Sequence, residues 1–80
     1  MRIETLRLAF DALELRYGMF VGYAKDAMDD AFKAEARGKD GLEFSLRAVS
    51  EYWDTRATEA LTALQELEAA LDEADKESHT

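Results

Sequence analysis

Apolar residues recur along this chain at helical spacing almost from its start. Ile3, Leu6, Phe10, Leu13, Tyr17, Phe20, Ala24, Ala27, Ala31 and Ala34 are separated by alternating steps of three and four. A helix turns once in 3.6 residues, so this spacing gathers all ten on one face. The pattern predicts a first helix over about residues 2–37. Its apolar residues shrink from leucine and aromatics to four alanines, so a neighbouring helix is expected to approach most closely near the C-terminal end.

The end of that helix is marked by chemistry as well as by pattern. Glycine accepts the left-handed conformation that closes a helix, which suits Gly38, and Lys33 and Arg37 complement the negative end of the dipole. Gly38-Lys39-Asp40-Gly41 is the predicted turn, residues 38–41. Asp40 is the expected N-cap of a second helix, with Glu43 three residues on as in a capping box. That helix, over about residues 41–76, presents Leu42, Leu46, Val49, Trp53, Ala57, Ala60, Leu64, Leu67, Leu71 and Ala74 at steps of three and four, with one doubled four at Trp53. Glu77-Ser78-His79-Thr80 is expected to fray as a tail. No strand-like alternation and no proline interrupt the pattern. The expected fold is all-α: one domain over residues 1–80, an antiparallel two-helix hairpin.

The first helix carries a second apolar set. Leu8, Ala12, Leu15 and Met19 also follow steps of four and three, roughly opposite Leu6 and Phe10. A helix that is apolar on two faces needs neighbours on two sides. The second helix supplies one, and the other must come from outside the chain. A twofold homodimer is the simplest source, making a four-helix bundle from two hairpins. Its expected interface is Leu8, Ala12, Leu15, Met19 and Gly22. Glycine inside a helix costs about 1 kcal/mol against alanine, so Gly18 and Gly22, four residues apart, are expected to mark a close backbone crossing.

Charge narrows the choice of partners. The 80 residues carry 10 Lys+Arg against 18 Asp+Glu, a net charge of −8. Residues 1–40 hold seven basic and eight acidic groups, whereas residues 41–80 hold three and ten. Such a balance speaks against direct binding of nucleic acid and against anionic membranes. A hydrophobic content of 48% is too high for an intrinsically disordered chain. No apolar run approaches the ~20 residues of a membrane span, and no signal-peptide pattern follows Met1, so the protein is expected in the cytoplasm.

Catalytic chemistry finds little to work with. Cysteine is absent, and the single histidine, His79, falls in the expected tail. There is no glycine-rich phosphate loop and no Ser/His/Asp set. Asp26, Asp29 and Asp30 form the best carboxylate cluster. Lys25 and Lys33 stand four residues either side of Asp29, however, so the cluster reads as a solvated face of ion pairs. No enzyme, cofactor or metal site is predicted. Tyr52, Trp53 and Arg56 are the most distinctive local group; Trp53 lies on the core stripe, so it is expected to be packed, with Arg56 along its edge.

The leading functional expectation is a non-enzymatic acidic module that binds a basic protein surface. Glu59, Glu66, Glu68, Asp72, Glu73 and Asp75 would stand in for phosphates, as in small inhibitors of nucleic-acid-handling complexes encoded by phages and mobile elements. Its rival is a homodimeric scaffold or assembly adaptor, in which the acids serve only solubility.

Overall fold

The reversal of the chain at Gly38 decides the architecture. In the computed structural model, which describes residues 2–78 (of Ser78 the backbone alone), α1 spans Ile3–Ala36 and α2 spans Asp40–Ser78. Gly38 takes a φ of +70°, the left-handed conformation that glycine tolerates without strain. Its N–H donates to the Glu35 carbonyl at 3.0 Å, and the Lys39 N–H donates to the Ala34 carbonyl at 2.9 Å. This pair of bonds is a Schellman closure, and it satisfies carbonyls that the end of α1 would otherwise leave open. The two helices return along each other as an antiparallel hairpin with extents of 64 × 14 × 14 Å.

Two expected boundaries move. The first intrahelical bond of α2 runs from the Glu43 N–H to the Lys39 carbonyl, at 2.9 Å, so Lys39 and not Asp40 is the N-cap. Asp40 becomes the first helical residue, where its charge still favours the helix dipole. The capping box does not form, because the Glu43 carboxylate is taken by Arg47 Nε at 2.8 Å. At the far end α2 continues through Ser78, so Glu77 belongs to the helix rather than to a tail. No glycine or proline follows Lys76 to stop it. The rest of the expected tail, His79 and Thr80, lies outside the described residues.

The core follows the first stripe completely. All ten of its positions are buried or half-buried, and Ala31 is 0% exposed. The buried ones are mainly the small ones, Ala24, Ala27, Ala31 and Ala34 of α1 toward the turn and Ala57 and Ala60 of α2 beyond Trp53, where Ala60 lies by Leu13 and Phe20, with Leu6 and Leu64 toward the open end. Small side chains let two helix axes approach closely, while larger ones hold them apart and leave their own edges in water.

In α2 the stripe is shifted at its start. Leu42 and Val49, expected in the core, are exposed, and the buried position is Ser50, only 2% exposed. Its hydroxyl donates to the Ala24 carbonyl across the hairpin at 2.9 Å, so the polar group is buried without being left unpaired. With Ser50 counted, Leu46, Ser50, Trp53, Ala57, Ala60, Leu64, Leu67, Leu71 and Ala74 alternate fours and threes, and the doubled four at Trp53 disappears. Trp53 is half-buried, stacked on Phe20 at 5.5 Å between ring centroids, with Tyr23 and Tyr52 each at 5.0 Å. It fills the level at which the alanine half of α1 gives way to the half with large residues.

Candidate functional site

With the core positions of α1 written as a and d of a heptad, Leu8, Leu15 and Gly22 fall on f, on the side of α1 facing away from α2. Ala12 and Met19 fall on c beside them. Leu8 is 71% and Leu15 69% exposed, Met19 and Ala12 are exposed, and Gly22 is half-buried. The hairpin therefore leaves the second apolar stripe uncovered over its whole length. An open depression lined by Asp11, Glu14, Leu15, Gly18 and Met19 interrupts it where Gly18 lacks a side chain. A Cβ built at Gly18 or Gly22 meets no atom within 4 Å, so the α1–α2 contact makes no use of either glycine. The stripe ends in charge: its next two positions are Asp26 and Asp29.

The six acidic residues of α2 expected to meet a partner are all exposed, but they do not share one face. Glu59, Glu66 and Glu73 recur every seven residues and form one row. Asp72 lies about 100° round the helix from that row. Glu68 and Asp75 lie about 160° round the helix from it, three and four heptads on from Arg47. Arg47 reaches Glu35 of α1 at 3.3 Å, so that flank adjoins α1 rather than facing outward. Glu59 is partly neutralised by Arg56 at 3.1 Å. The outward row is thus Glu66 and Glu73, with Glu59 at its paired end.

The turn end holds a cluster that the periodicity did not single out. Arg47 lies over the Phe32 ring at 5.5 Å, donates to Glu43 and Glu35, and approaches the Met28 sulfur at 3.6 Å. Its bond to the Glu43 carboxylate holds the guanidinium above its ordinary pKa, with burial opposing and Glu35 adding to the rise. Phe44, close by in sequence, is the most exposed large apolar residue of those described. Both phenylalanines fall outside the two stripes, and that residue of unassigned aromatics was the available signal. Arg56 differs from expectation: it lies over the face of Tyr52 at 5.1 Å, not along Trp53. The side-chain hydrogen bond with Tyr52, and then Glu59, likewise raise its pKa.

Among the described residues, neither Lys25–Asp29 nor Asp29–Lys33 closes to ion-pair distance, whereas Arg47 and Arg56 do form ion pairs. Asp26, Asp29 and Asp30 are all exposed, and no three carboxylates or imidazoles among the described residues are gathered as metal ligands. Nor is any described helix long and apolar enough to cross a membrane. The surfaces that stand out are accordingly apolar or acidic faces of helices. No family model, curated protein or solved structure matches the chain.

Proposed function

We propose that the protein is a non-enzymatic helical assembly module that pairs with a second copy of itself through the back of α1. One observation carries this reading: Leu8 and Leu15 are 71% and 69% exposed in an apolar stripe for which the hairpin has no use. An apolar face of this kind on a small acidic protein marks a contact surface. Charge favours a second copy as its occupant. The α1 half of the chain is nearly balanced, with seven basic and eight acidic groups, whereas the α2 half carries the excess of acid. Two α1 helices therefore approach without the repulsion that two α2 helices would meet. Because the stripe faces away from α2, the second copy touches α1 and leaves both α2 helices outermost. Four helices then lie in a layer, α2–α1–α1–α2, rather than in a closed square bundle.

The test is the solution mass by light scattering at 50 and 500 mM salt. The expected result is twice the mass of the 9.0 kDa chain at both salts, since apolar contact is not screened. Leu15→Glu with Met19→Glu should return the protein to a monomer of unchanged helicity. A wild-type monomer at millimolar concentration would sink self-association.

The outward row of Glu59, Glu66 and Glu73, with Asp72 exposed to one side of it, favours a second reading, in which the exposed α2 engages a basic protein surface as nucleic acid would. Charge complementarity of that kind accelerates association and weakens with salt. Glu66→Lys with Glu73→Lys should abolish capture of such a partner, while Glu68→Lys with Asp75→Lys, on the flank toward α1, should weaken it less. Equal effects from the two pairs would show only loss of net charge.

A further inference from the structure

We infer that the two copies pair with their α1 helices antiparallel, Leu8 of each lying against Met19 of the other. The inference rests on the reading of α1 as a self-docking face and specifies its geometry. Thr5, Leu8, Ala12, Leu15, Met19 and Gly22 keep steps of three and four, the spacing of a coiled-coil seam two heptads long. An antiparallel pairing centred between Leu13 and Glu14 sets Leu8 against Met19, Ala12 against Leu15 and Thr5 against Gly22, each twice by symmetry. Every layer of the seam then joins two apolar or small residues, with the two leucines of the centre each facing an alanine. On one flank the same pairing brings Glu4 of each copy to the level of Lys25 of the other, an opposite-charge match made twice. Gly18 comes level with Asp11, where the depression beside Leu15 and Met19 leaves room for the other helix.

The parallel alternative fails at the end of the stripe. Its next positions are Asp26 and Asp29, and a parallel pairing in step sets each of these carboxylates against its own copy. Like charges across a seam oppose association and specify against that arrangement. In the antiparallel pairing both aspartates pass beyond the first turn of the other α1, which begins at Ile3.

The chain has no cysteine, so single cysteines report the arrangement cleanly. Leu8→Cys and Met19→Cys are prepared separately, then oxidised mildly alone and as an equal mixture. Both positions are exposed, so neither substitution touches the hairpin core. The expected result is a disulfide-linked dimer containing one of each variant in the mixture, and little from either variant alone. Same-numbered residues lie eleven positions apart along the seam, about 16 Å, far beyond the ~7 Å between Cα atoms that a disulfide spans. Phe44→Cys, on the turn half, sets the level of random collision. A homodisulfide from Leu8→Cys alone, above that level, would show the parallel pairing and overturn the inference. No disulfide in any sample, with a dimeric mass for the unsubstituted protein, would also overturn it while leaving self-association standing. A monomeric mass would overturn self-association itself.

Discussion

The two halves of this hairpin solve the same packing problem differently. Toward the turn, alanines of α1 are buried, Ser50 bonds the Ala24 carbonyl, and Arg47 ties α2 to Glu35. Toward the open end, Phe10, Leu13 and Tyr17 are only half-buried, and Leu8 and Leu15 project from the other side of the same helix. Close approach buries small residues completely, and the large apolar residues of this half, Phe32, Leu42 and Phe44, are left outside the contact. In the open half Leu6 and Leu64 are buried, but Phe10, Leu13 and Tyr17 keep edges in water, so this half exposes apolar area on both sides of α1. The turn half is tied together by bonds within the chain; the open half leaves Leu8 and Leu15 with no helix over them in the hairpin.

The largest effect on folding should come where the halves meet. Trp53→Ala removes the ring packed against Phe20 and Tyr23 and should cost about 3 kcal/mol, read as a fall in the thermal midpoint followed by circular dichroism. Within the turn half, Ala31→Leu forces three more heavy atoms into a position with no exposure and should cost roughly 1–3 kcal/mol. Leu15→Glu in the open half makes a far larger chemical change, yet should move the stability of the separated hairpin by less than about 0.5 kcal/mol. Its effect should appear in the mass instead. Phe44→Glu, at the turn end, should leave the mass unchanged. If Phe44→Glu dissociates the protein and Leu15→Glu does not, the contrast between the halves has been drawn the wrong way round.

How much of this was legible differs between the helices for a physical reason. In α1 every core position is apolar, so the period alone located all ten. In α2 the core includes a serine, and a reading that admits only apolar residues steps past Ser50 to Val49 and Leu42. What makes serine acceptable there is a carbonyl on the other helix, 26 residues away in the chain, and no local pattern carries that information. The N-cap went to Lys39 for a similar reason: the closure of α1 fixes the chain so tightly that α2 starts one residue early. The exposed stripe on α1 was legible as a period, and the structure adds that α2 does not cover it. The acidic residues were legible as a count, but their division between an outward row and a flank along α1 depends on where α2 faces.

Two smaller effects of opposite sign sharpen the comparison. Ser50→Ala removes the bond to Ala24 and should destabilise by about 1 kcal/mol, with no effect on mass. Gly22→Ala meets nothing within 4 Å in the hairpin and relieves the helix of a glycine, so the separated chain should gain about 1 kcal/mol. If a second helix crosses closely at this face, the same methyl group should weaken the dimer. A variant that melts higher yet dissociates more readily is the signature of a glycine kept for assembly. A gain in both would mean that Gly22 lies outside the contact.

The smallest effect concerns the end of α2. Glu73, Asp75 and Glu77 crowd its last turns, where the helix dipole is negative, and Lys76 is the basic residue of the last turn. Acids placed there oppose the dipole by a few tenths of a kcal/mol each in low salt. Asp75→Lys should therefore stabilise the hairpin by about 0.5 kcal/mol at 50 mM salt, and the gain should shrink at 500 mM as screening shortens the reach of the charges. Measured as paired chemical denaturation curves, that salt dependence separates dipole and charge repulsion from any change in packing. A stabilisation of this kind says that the acids are held at this end at a cost to the fold. Solubility alone does not require charges to sit where the helix disfavours them, and Glu73→Lys, measured in the same way, extends the test to the outward row. If Asp75→Lys instead destabilises the protein at both salts, Asp75 contributes to the hairpin, and the flank toward α1 is structural.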